Sequence, residues 1–374
     1  MFKSLVLPVL ALVPFSFAQC GSGTPDAVVD GSDGSYTTTS GGSEVYSGSD
    51  YLTAIQSGID AISSGQRVAV LASGDIGAST ISIDSGKTFE GCGTINAGSN
   101  SGHGAIESLN TAGVSIPYLT MTGDPYFGLR FHGTEDLTLG EITMDLSGGL
   151  GIRFDRDYPP NSNVNMGTIK ITGATSHAVE TWHIGKYTLV APLSLMLQLT
   201  STPLLDGLTI DTVIARDVGQ CGLLIENSTN AQVGLVDGEN VATGTGYATF
   251  RMANNNGELD DGSYDTNIFV DRVVSRGGGR GVFCVSQSGG AEISYVDLAD
   301  NENNAILIEN CYNVAILDGT VNGGGEVRIS ARDEFPNTRD ISITLEVDGT
   351  SVRESPCGEN ISWDITGDAS LDIC

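Results

Sequence analysis

Eight short segments of this chain share one hydrophobic pattern: a small residue, an apolar residue, any residue, an apolar residue and a polar residue. This alternation predicts strands that bury one face. Their second positions follow one another at intervals of 23, 27, 44, 27, 32, 24 and 21 residues. A strand that returns at such intervals is typical of stacked rungs, so we expect an all-β fold, a single-stranded right-handed parallel β-helix (β-solenoid). The second positions are Leu129, Ile152, Val179, Leu223, Phe250, Val282, Ile306 and Val327.

A short amphipathic helix is expected ahead of the rungs. Apolar residues recur at offsets of three, four and three within residues 51–64, which predicts one apolar helical face formed by Leu52, Ile55, Ile59 and Ile62. Ser49 or Asp50 is placed to cap this helix. We expect the helix to cover the open end of the solenoid core rather than to bind a partner. Residues 19–50, rich in Gly, Ser and Thr, predict an irregular or flexible arm, and the β-helix is expected to span residues 51–350.

The interval of 44 residues contains a segment, residues 185–205, without the rung pattern. Removing its 21 residues leaves an ordinary interval of 23 and joins Ile184 to Asp206. The segment can also be encoded with splice-donor, branch-site and splice-acceptor sequences at the matching places. We therefore hypothesise that it is a translated intron; the alternative is an apolar loop that forms the rim of a surface groove. Sequencing the transcript distinguishes the two.

The first 18 residues carry Lys3, an apolar run and a small residue at Ala18, which is typical of a secretory signal peptide. We expect cleavage after Ala18 and, since no other segment is long enough to span a membrane, a secreted, extracellular protein. We expect this protein to be a monomer. The formal net charge of −29 at pH 7 argues against nucleic acid as a partner. Asn227 and Asn360 begin N-glycosylation sequons and are candidate glycan acceptors.

Seven cysteines in a secreted chain allow three disulfides and one free thiol. Cys284 occupies an inward position of its strand and is expected to be a buried core thiol. Two pairs are expected to staple the chain ends: Cys20–Cys92 and, within a tail of residues 351–374, Cys357–Cys374.

The outward positions of the rungs carry an unusual set of charged side chains. Arginine takes the third position in four of the eight segments, although the chain has only 13 arginines. Stacking places these positions in columns with about 4.8 Å between rungs. We interpret this face as a groove, and the alternative is a structural ladder of ion pairs. The candidate catalytic residues are Arg153, Asp155, Glu180, Glu226 and Arg251, and the candidate substrate-binding residues are Arg130, His132, Arg156, Trp182 and His183.

Two chemistries fit these residues. The carboxyl groups of Glu180 and Glu226 are expected about 8 Å apart, and Asp155 and Glu226 about 9–10 Å apart. Either separation leaves room for a water molecule between an acid and a base, as in inverting glycoside hydrolysis. Alternatively, Arg153 or Arg251 removes the proton α to a uronate carboxylate and starts a β-elimination, with Ca²⁺ held by carboxylates of the groove. In either reaction Trp182 would stack on a sugar ring.

An acidic loop offers a second, weaker place for calcium. Asp260, Asp261 and Asp265 lie in the 32-residue interval, and their carboxylates are suitable ligands for Ca²⁺. Their spacing is not that of an EF-hand loop, and a solvated acidic turn is the alternative. Calcium is therefore the one cofactor that the sequence suggests.

The coil, the helix ahead of it and the charged strand face resemble the secreted pectate lyase/pectin lyase-like right-handed β-helix superfamily over roughly residues 50–350. The resemblance is one of architecture and implies a polysaccharide as the partner in the groove. Gly102-His103-Gly104 and Asp260-Asp261 resemble polygalacturonase motifs but stand in the opposite order, so no role is transferred to them. We predict a β-eliminating lyase that acts on a uronate-containing, pectin-like polysaccharide. The alternatives are an inverting glycoside hydrolase and a non-catalytic carbohydrate-binding or host-interaction protein.

Overall fold

The computed structural model describes residues 19–185 and 206–374. The predicted signal peptide and residues 186–205 lie outside this part of the chain. The described residues are nearly all β-structure, and they coil through about 12 turns of mostly parallel, stacked strands. The predicted parallel β-helix is therefore confirmed.

The strands in chain order, with one helix among the described residues, have the following bounds. They are β1 (Ala27–Ser32), β2 (Ser35–Ser40), β3 (Ser43–Gly48), α1 (Tyr51–Asp60), β4 (Arg67–Val70), β5 (Gly74–Asp75), β6 (Ile81–Ser82), β7 (Thr88–Ala97), β8 (Gly104–Leu109), β9 (Ser115–Gly123), β10 (Phe127–His132), β11 (Glu135–Leu146), β12 (Leu150–Phe154), β13 (Ser162–Thr172), β14 (Val179–Trp182), β15 (Leu208–Arg216), β16 (Leu223–Glu226), β17 (Ala231–Glu239), β18 (Ala248–Ala253), β19 (Ile268–Arg276), β20 (Arg280–Ala299), β21 (Asn304–Ile316), β22 (Gly319–Asn322), β23 (Glu326–Ser330), β24 (Arg339–Asp348), β25 (Ser351–Glu354), β26 (Glu359–Thr366) and β27 (Ser370–Asp372).

The repeated segments stack in the predicted register and form what we call the front sheet, from β8 through the even-numbered strands to β18, then β20, β21, β23, β25 and β27. Each second-position residue pairs with the next: Leu129 with Ile152, Ile152 with Val179, and so on to Val327. These side chains are at most 1 % exposed and lie in the core. Burying each one contributes about 1.5–3 kcal/mol, which explains why the alternation sets the register.

A second ladder, the back sheet, closes the core from the other side. It contains β9, β11, β13, β15, β17, β19, the later parts of β20 and β21, β24 and β26. One inward row shows its regularity, and all its members are fully buried: Ile142, Ile169, Val213, Val236, Val273 and Val296.

The corners after the front strands hold Asn227, Asn254 and Asn310 with positive φ values of 44°, 57° and 52°, a backbone conformation that Asn tolerates.

Helix α1 covers the N-terminal end of the core, as predicted, although it ends at Asp60 rather than at residue 64. Asp50 caps it by accepting a hydrogen bond from the Thr53 N–H group. Ile55 and Ile59 are fully buried, so the apolar helical face packs on the first rungs.

Two predictions about the chain ends are corrected. Residues 27–48 are not an irregular arm: β1, β2 and β3 pair antiparallel, and β1 joins the solenoid through β4. Val29, Tyr36 and Thr38 are buried, and this short alternation is hidden among polar residues. Residues 351–374 are not a separate tail, because β25, β26 and β27 continue the front and back sheets.

The disulfides are confirmed at both ends and corrected in the middle. Cys20–Cys92 and Cys357–Cys374 are bonded as predicted. Cys284 is not a free thiol but is bonded to Cys311, with their Cα atoms 6.2 Å apart, because β21 bends after Glu309 and brings Cys311 into the same core. Cys221 is the free cysteine, and it is buried.

The rungs are continuous across the 185–205 segment. Ile184 pairs with Asn161, and Leu208 pairs with Val164. Two residues separate Asn161 from Val164, and two separate Ile184 from Leu208 once residues 185–205 are left out. The flanks therefore fit the neighbouring rung as if the segment were an insertion, which both the intron hypothesis and the rim loop predict. The predicted rim loop itself lies outside the described residues, apart from Gly185.

Candidate functional site

The predicted site residues lie on the outward side of the front sheet, from β8 to β18, which we call the polar wall. One row of paired residues runs Glu107, Arg130, Arg153, Glu180, Leu224 and Arg251. In a parallel row, Trp182 pairs with Glu226. The structure thus places Arg130, Arg153, Glu180, Glu226 and Arg251 on neighbouring strands of one exterior face.

A continuous chain of ion pairs fills the first part of the polar wall. Arg130 contacts Glu107 at 3.0 Å and Asp155 at 2.8 Å. Arg153 contacts the same Asp155 at 3.3 Å and also pairs with Glu180. The carboxylate side chains are at most 9 % exposed, so each charge depends on its partners. For Arg130 and Asp155 the alternative of a structural ladder fits these contacts.

Glu180 ends this chain and is surrounded by donors. Arg153 and the Trp182 indole, at 3.0 Å, both contact Oε1, and Nε2 of His177 lies 3.9 Å from Oε2. The Cys221 N–H group donates to Nδ1 of His177 at 3.0 Å, so the ring proton of a neutral imidazole is on Nε2. Burial lowers the pKa of His177 to about 4, which keeps the ring neutral. Glu180 thus has Arg153 and Trp182 at one carboxylate oxygen and His177 near the other.

Glu226, one rung further, has a different environment. Asn254 donates to its Oε1, whereas Oε2 is buried without a hydrogen-bond partner among the described residues. Burial, followed by the neighbouring charge of Glu180, raises the pKa of Glu226 to about 8. Glu226 is therefore protonated at neutral pH and carries a proton that it can donate.

Arg251 also differs from the other arginines of the row. Its guanidinium carbon lies 5.0 Å from the ring centre of Tyr247 and 5.1 Å from that of Phe283. Nε is buried without a hydrogen-bond partner, and no carboxylate among the described residues forms an ion pair with it. Beyond it, the outward side becomes apolar at Phe283 and Leu307, which belong to a buried cluster that also includes Leu224 on the preceding rung. Arg251 is a cation available to an anionic ligand.

The predicted substrate-binding residues frame the polar wall. Trp182 is only 8 % exposed, and the Arg156 guanidinium covers its ring at 5.4 Å, so little of the indole is open for stacking. His183 meets Trp182 edge-on at 6.0 Å. His132 stacks on Tyr158 at 4.2 Å, and burial lowers the pKa of His132. Tyr158, which is 48 % exposed, offers a more open ring than Trp182.

The predicted calcium ligands do not come together in the described structure. Asp260 and Asp261 line one depression with Asp206, Thr229 and Asn230. Asp265 lines another, with Tyr264, Asn313, Arg339 and Asp340. Asp261 is exposed and accepts a hydrogen bond from the Ser263 N–H group; its interaction with Ser263 lowers the pKa of Asp261 and is typical of a solvated turn. Calcium binding stays a prediction.

Sequence reasoning missed three contributors to the site. His177 precedes β14 at a corner, where strand alternation gives no direction for a side chain. Asn254 occupies the corner after β18, and its amide also donates to Glu226. Tyr247 lies in a turn ahead of β18 and contacts both His177 and Arg251. The one available signal was the position of Asn254, three residues after Arg251.

Comparisons with protein-family models, with curated proteins and with solved structures find no match to this chain. None of the helical residues described is in a stretch long and apolar enough to cross a bilayer. The three disulfides indicate an oxidising environment of the extracellular type. What the protein does must therefore be inferred from the polar wall itself.

Proposed function

We propose that this protein is a secreted polysaccharide-active enzyme that hydrolyses a glycosidic bond, with Glu226 as the acid and Glu180 as the base. One observation carries the proposal: two neighbouring buried carboxyl groups have opposite environments. Such a contrast is how a site assigns acid and base roles to two residues of the same type.

Glu226 suits the acid role because it keeps its proton at neutral pH. Its Oε2 atom lacks a partner among the described residues, so the proton is not committed to another protein group. As a water molecule attacks the anomeric carbon, this proton passes to the glycosidic oxygen, and the bond between that oxygen and the anomeric carbon breaks in the same step.

Glu180 suits the base role because Arg153 and Trp182 bind its Oε1 atom, whereas among the described residues its Oε2 atom has only His177 Nε2 nearby, at 3.9 Å. It accepts a proton from a water molecule whose oxygen forms the new bond to the anomeric carbon. The two glutamates are one rung and two residues apart, from which we expect their carboxyl groups to be about 8 Å apart. A separation of that size accommodates the water and favours inversion of configuration.

A second candidate, β-elimination on a uronate, is favoured by Arg251 alone. An arginine that acts as the base needs a side chain free to approach the substrate, and Arg153 is engaged in ion pairs with two carboxylates. Arg251 has no such partner among the described residues and lies one rung from Glu226, offset by two residues. If the reaction is a β-elimination, Arg251 rather than Arg153 is the base.

The test is cleavage of a panel of plant, fungal and algal polysaccharides by the purified protein. Hydrolysis releases reducing ends without new ultraviolet absorbance, whereas β-elimination adds the absorbance of an unsaturated uronide. We expect the first result, and we expect Glu226→Gln to lower the rate about 10²–10⁴-fold. The activity of the wild type should fall as the pH rises through about 8, where Glu226 loses its proton.

Glu309 provides the matched control. It lies on the same outward side, where it pairs with Ser330 of the next rung, and forms an ion pair with Arg332 at 2.9 Å. Glu309→Gln should leave the rate unchanged. Equal losses in both variants, or binding of a glycan with no cleavage by the wild type, would contradict the assignment; the second result would favour a binding protein.

A further inference from the structure

The two ends of the solenoid are finished differently. At the N-terminal end, α1 packs on β1, β2 and β3 and covers the first rungs. At the other end, β26 pairs only with β24, and β27 pairs only with β25. Among the described residues, nothing pairs with the outer edge of either strand. An open strand edge is a site at which a second chain can add.

The open end also exposes apolar side chains. Leu371 is 52 % exposed and Ile373 is 38 % exposed. Ile361, Trp363 and Ile365 of β26 are only partly buried, although the corresponding residues of earlier rungs are fully enclosed. An edge that combines unpaired backbone with apolar residues favours association unless something covers it.

A sequon lies on this last rung. Asn360-Ile361-Ser362 begins at the second residue of β26, and the side chains of Asn360 and Ser362 are exposed. The Asn360 amide donates to Asp340 at 2.8 Å. Because the amide nitrogen carries two hydrogens, one can be replaced by a sugar while the other still reaches Asp340. Attachment of a glycan is thus compatible with the folded corner.

We propose that Asn360 carries an N-linked glycan that covers the open end of the solenoid and prevents copies from stacking on one another. In the transfer, the amide nitrogen bonds to the anomeric carbon of a lipid-diphosphate-linked oligosaccharide. The bond from that carbon to the diphosphate breaks, the lipid diphosphate leaves, and the amide loses one proton. This step takes place in the secretory lumen, the kind of compartment in which the three disulfides form.

The experiment compares Ser362→Ala with Ser362→Thr in the full chain, produced in a eukaryotic secretion host. The first variant removes the sequon, and the second keeps it; both retain Asn360 and its bond to Asp340. Peptide mass spectrometry should find the glycan on Asn360 in the wild type and in the threonine variant only. Light scattering behind size exclusion should find these two monomeric and the alanine variant associating as its concentration rises.

Two further samples separate shielding from misfolding. Wild type that is trimmed after secretion to a single sugar should associate like the alanine variant. Adding Leu371→Asp to Ser362→Ala should restore the monomer, because the charge disrupts an apolar contact. An unmodified Asn360 in secreted wild type overturns the proposal. A monomeric alanine variant, together with monomeric trimmed wild type, overturns the shielding role. Neither result depends on enzymatic activity.

Discussion

Two stretches of the polar wall, one rung apart, hold similar residues in very different states. In the first stretch, each charged side chain of the ion-pair chain contacts an opposite charge; its members are Glu107, Arg130, Arg153, Asp155 and Glu180. At Glu226 and Arg251, buried polar atoms have no hydrogen-bond partner within the described chain. An unsatisfied buried group costs about 1–3 kcal/mol, so a fold retains it only where something else is gained. Among the carboxylates and arginines of the polar wall, unmet hydrogen-bonding capacity, rather than charge, distinguishes the candidate site from the ladder beside it.

The largest change in the free energy of unfolding is expected for a substitution within the ion-pair chain. Arg130→Ala leaves Glu107 and Asp155 buried without their shared cation, and it should lower the free energy of unfolding by about 3–5 kcal/mol. Denaturant unfolding measures this change. Arg353→Ala is the control in the same row, because that arginine pairs with the exposed Asp372 and should contribute about 0–1 kcal/mol. Similar losses in the two variants would remove the distinction between a buried ladder and a surface pair.

The next effect is a pH dependence that belongs to Glu226. Its folded pKa of about 8 lies above the ordinary value of 4.5, so the folded state binds more protons than the unfolded state between these values. The stabilisation is fully present below 4.5, and the free energy of unfolding falls as the pH rises to 8. The loss should amount to a few kcal/mol, at about 1.4 kcal/mol per pKa unit.

Glu226→Gln isolates this dependence from that of the other carboxyl groups. The difference between the variant and the wild type should grow in favour of the variant as the pH rises from 4.5 to 8. Urea unfolding at several pH values across this range measures it. A difference that stays constant would mean that Glu226 is ionised throughout, and the acid role would then fail.

The smallest effect on stability is expected at Arg251. Arg251→Met keeps an unbranched side chain between the rings of Tyr247 and Phe283 and removes a charge that has no carboxylate partner among the described residues. The free energy of unfolding should change by about 1 kcal/mol or less, whereas kcat/KM on an acidic substrate should fall about 10–100-fold. A loss of stability as large as that of Arg130→Ala would place Arg251 in the structural ladder.

The register of the wall could be predicted because it depends on a local pattern. Leu129, Ile152 and Val179 each start an inward alternation, and their spacing gives the stacking. The state of Glu226 could not be predicted in this way. It depends on Asn254 and Glu180, which lie on two different rungs, and on burial that no single segment reveals.

The errors at other places have similar physical causes. β2 has the sequence Ser-Tyr-Thr-Thr-Thr-Ser, and its burial of Tyr36 and Thr38 follows from contact with α1 and the first rungs rather than from an apolar pattern. The Cys284–Cys311 bond depends on the bend within β21, which the intervals between strands do not report. Contacts between distant segments decided each of these features.

The junction at Ile184 and Asp206 has a consequence for how such a protein changes over time. In a stacked coil, each turn contacts only its neighbours, and lengthening a connection at a corner costs little: doubling it adds about 0.6 kcal/mol of closure entropy. Pairing of Leu208 with Val164 and Ala231 needs the same alignment whether the intervening stretch is present or spliced away. A gene with this architecture can gain or lose exon material at a corner without shifting a single layer.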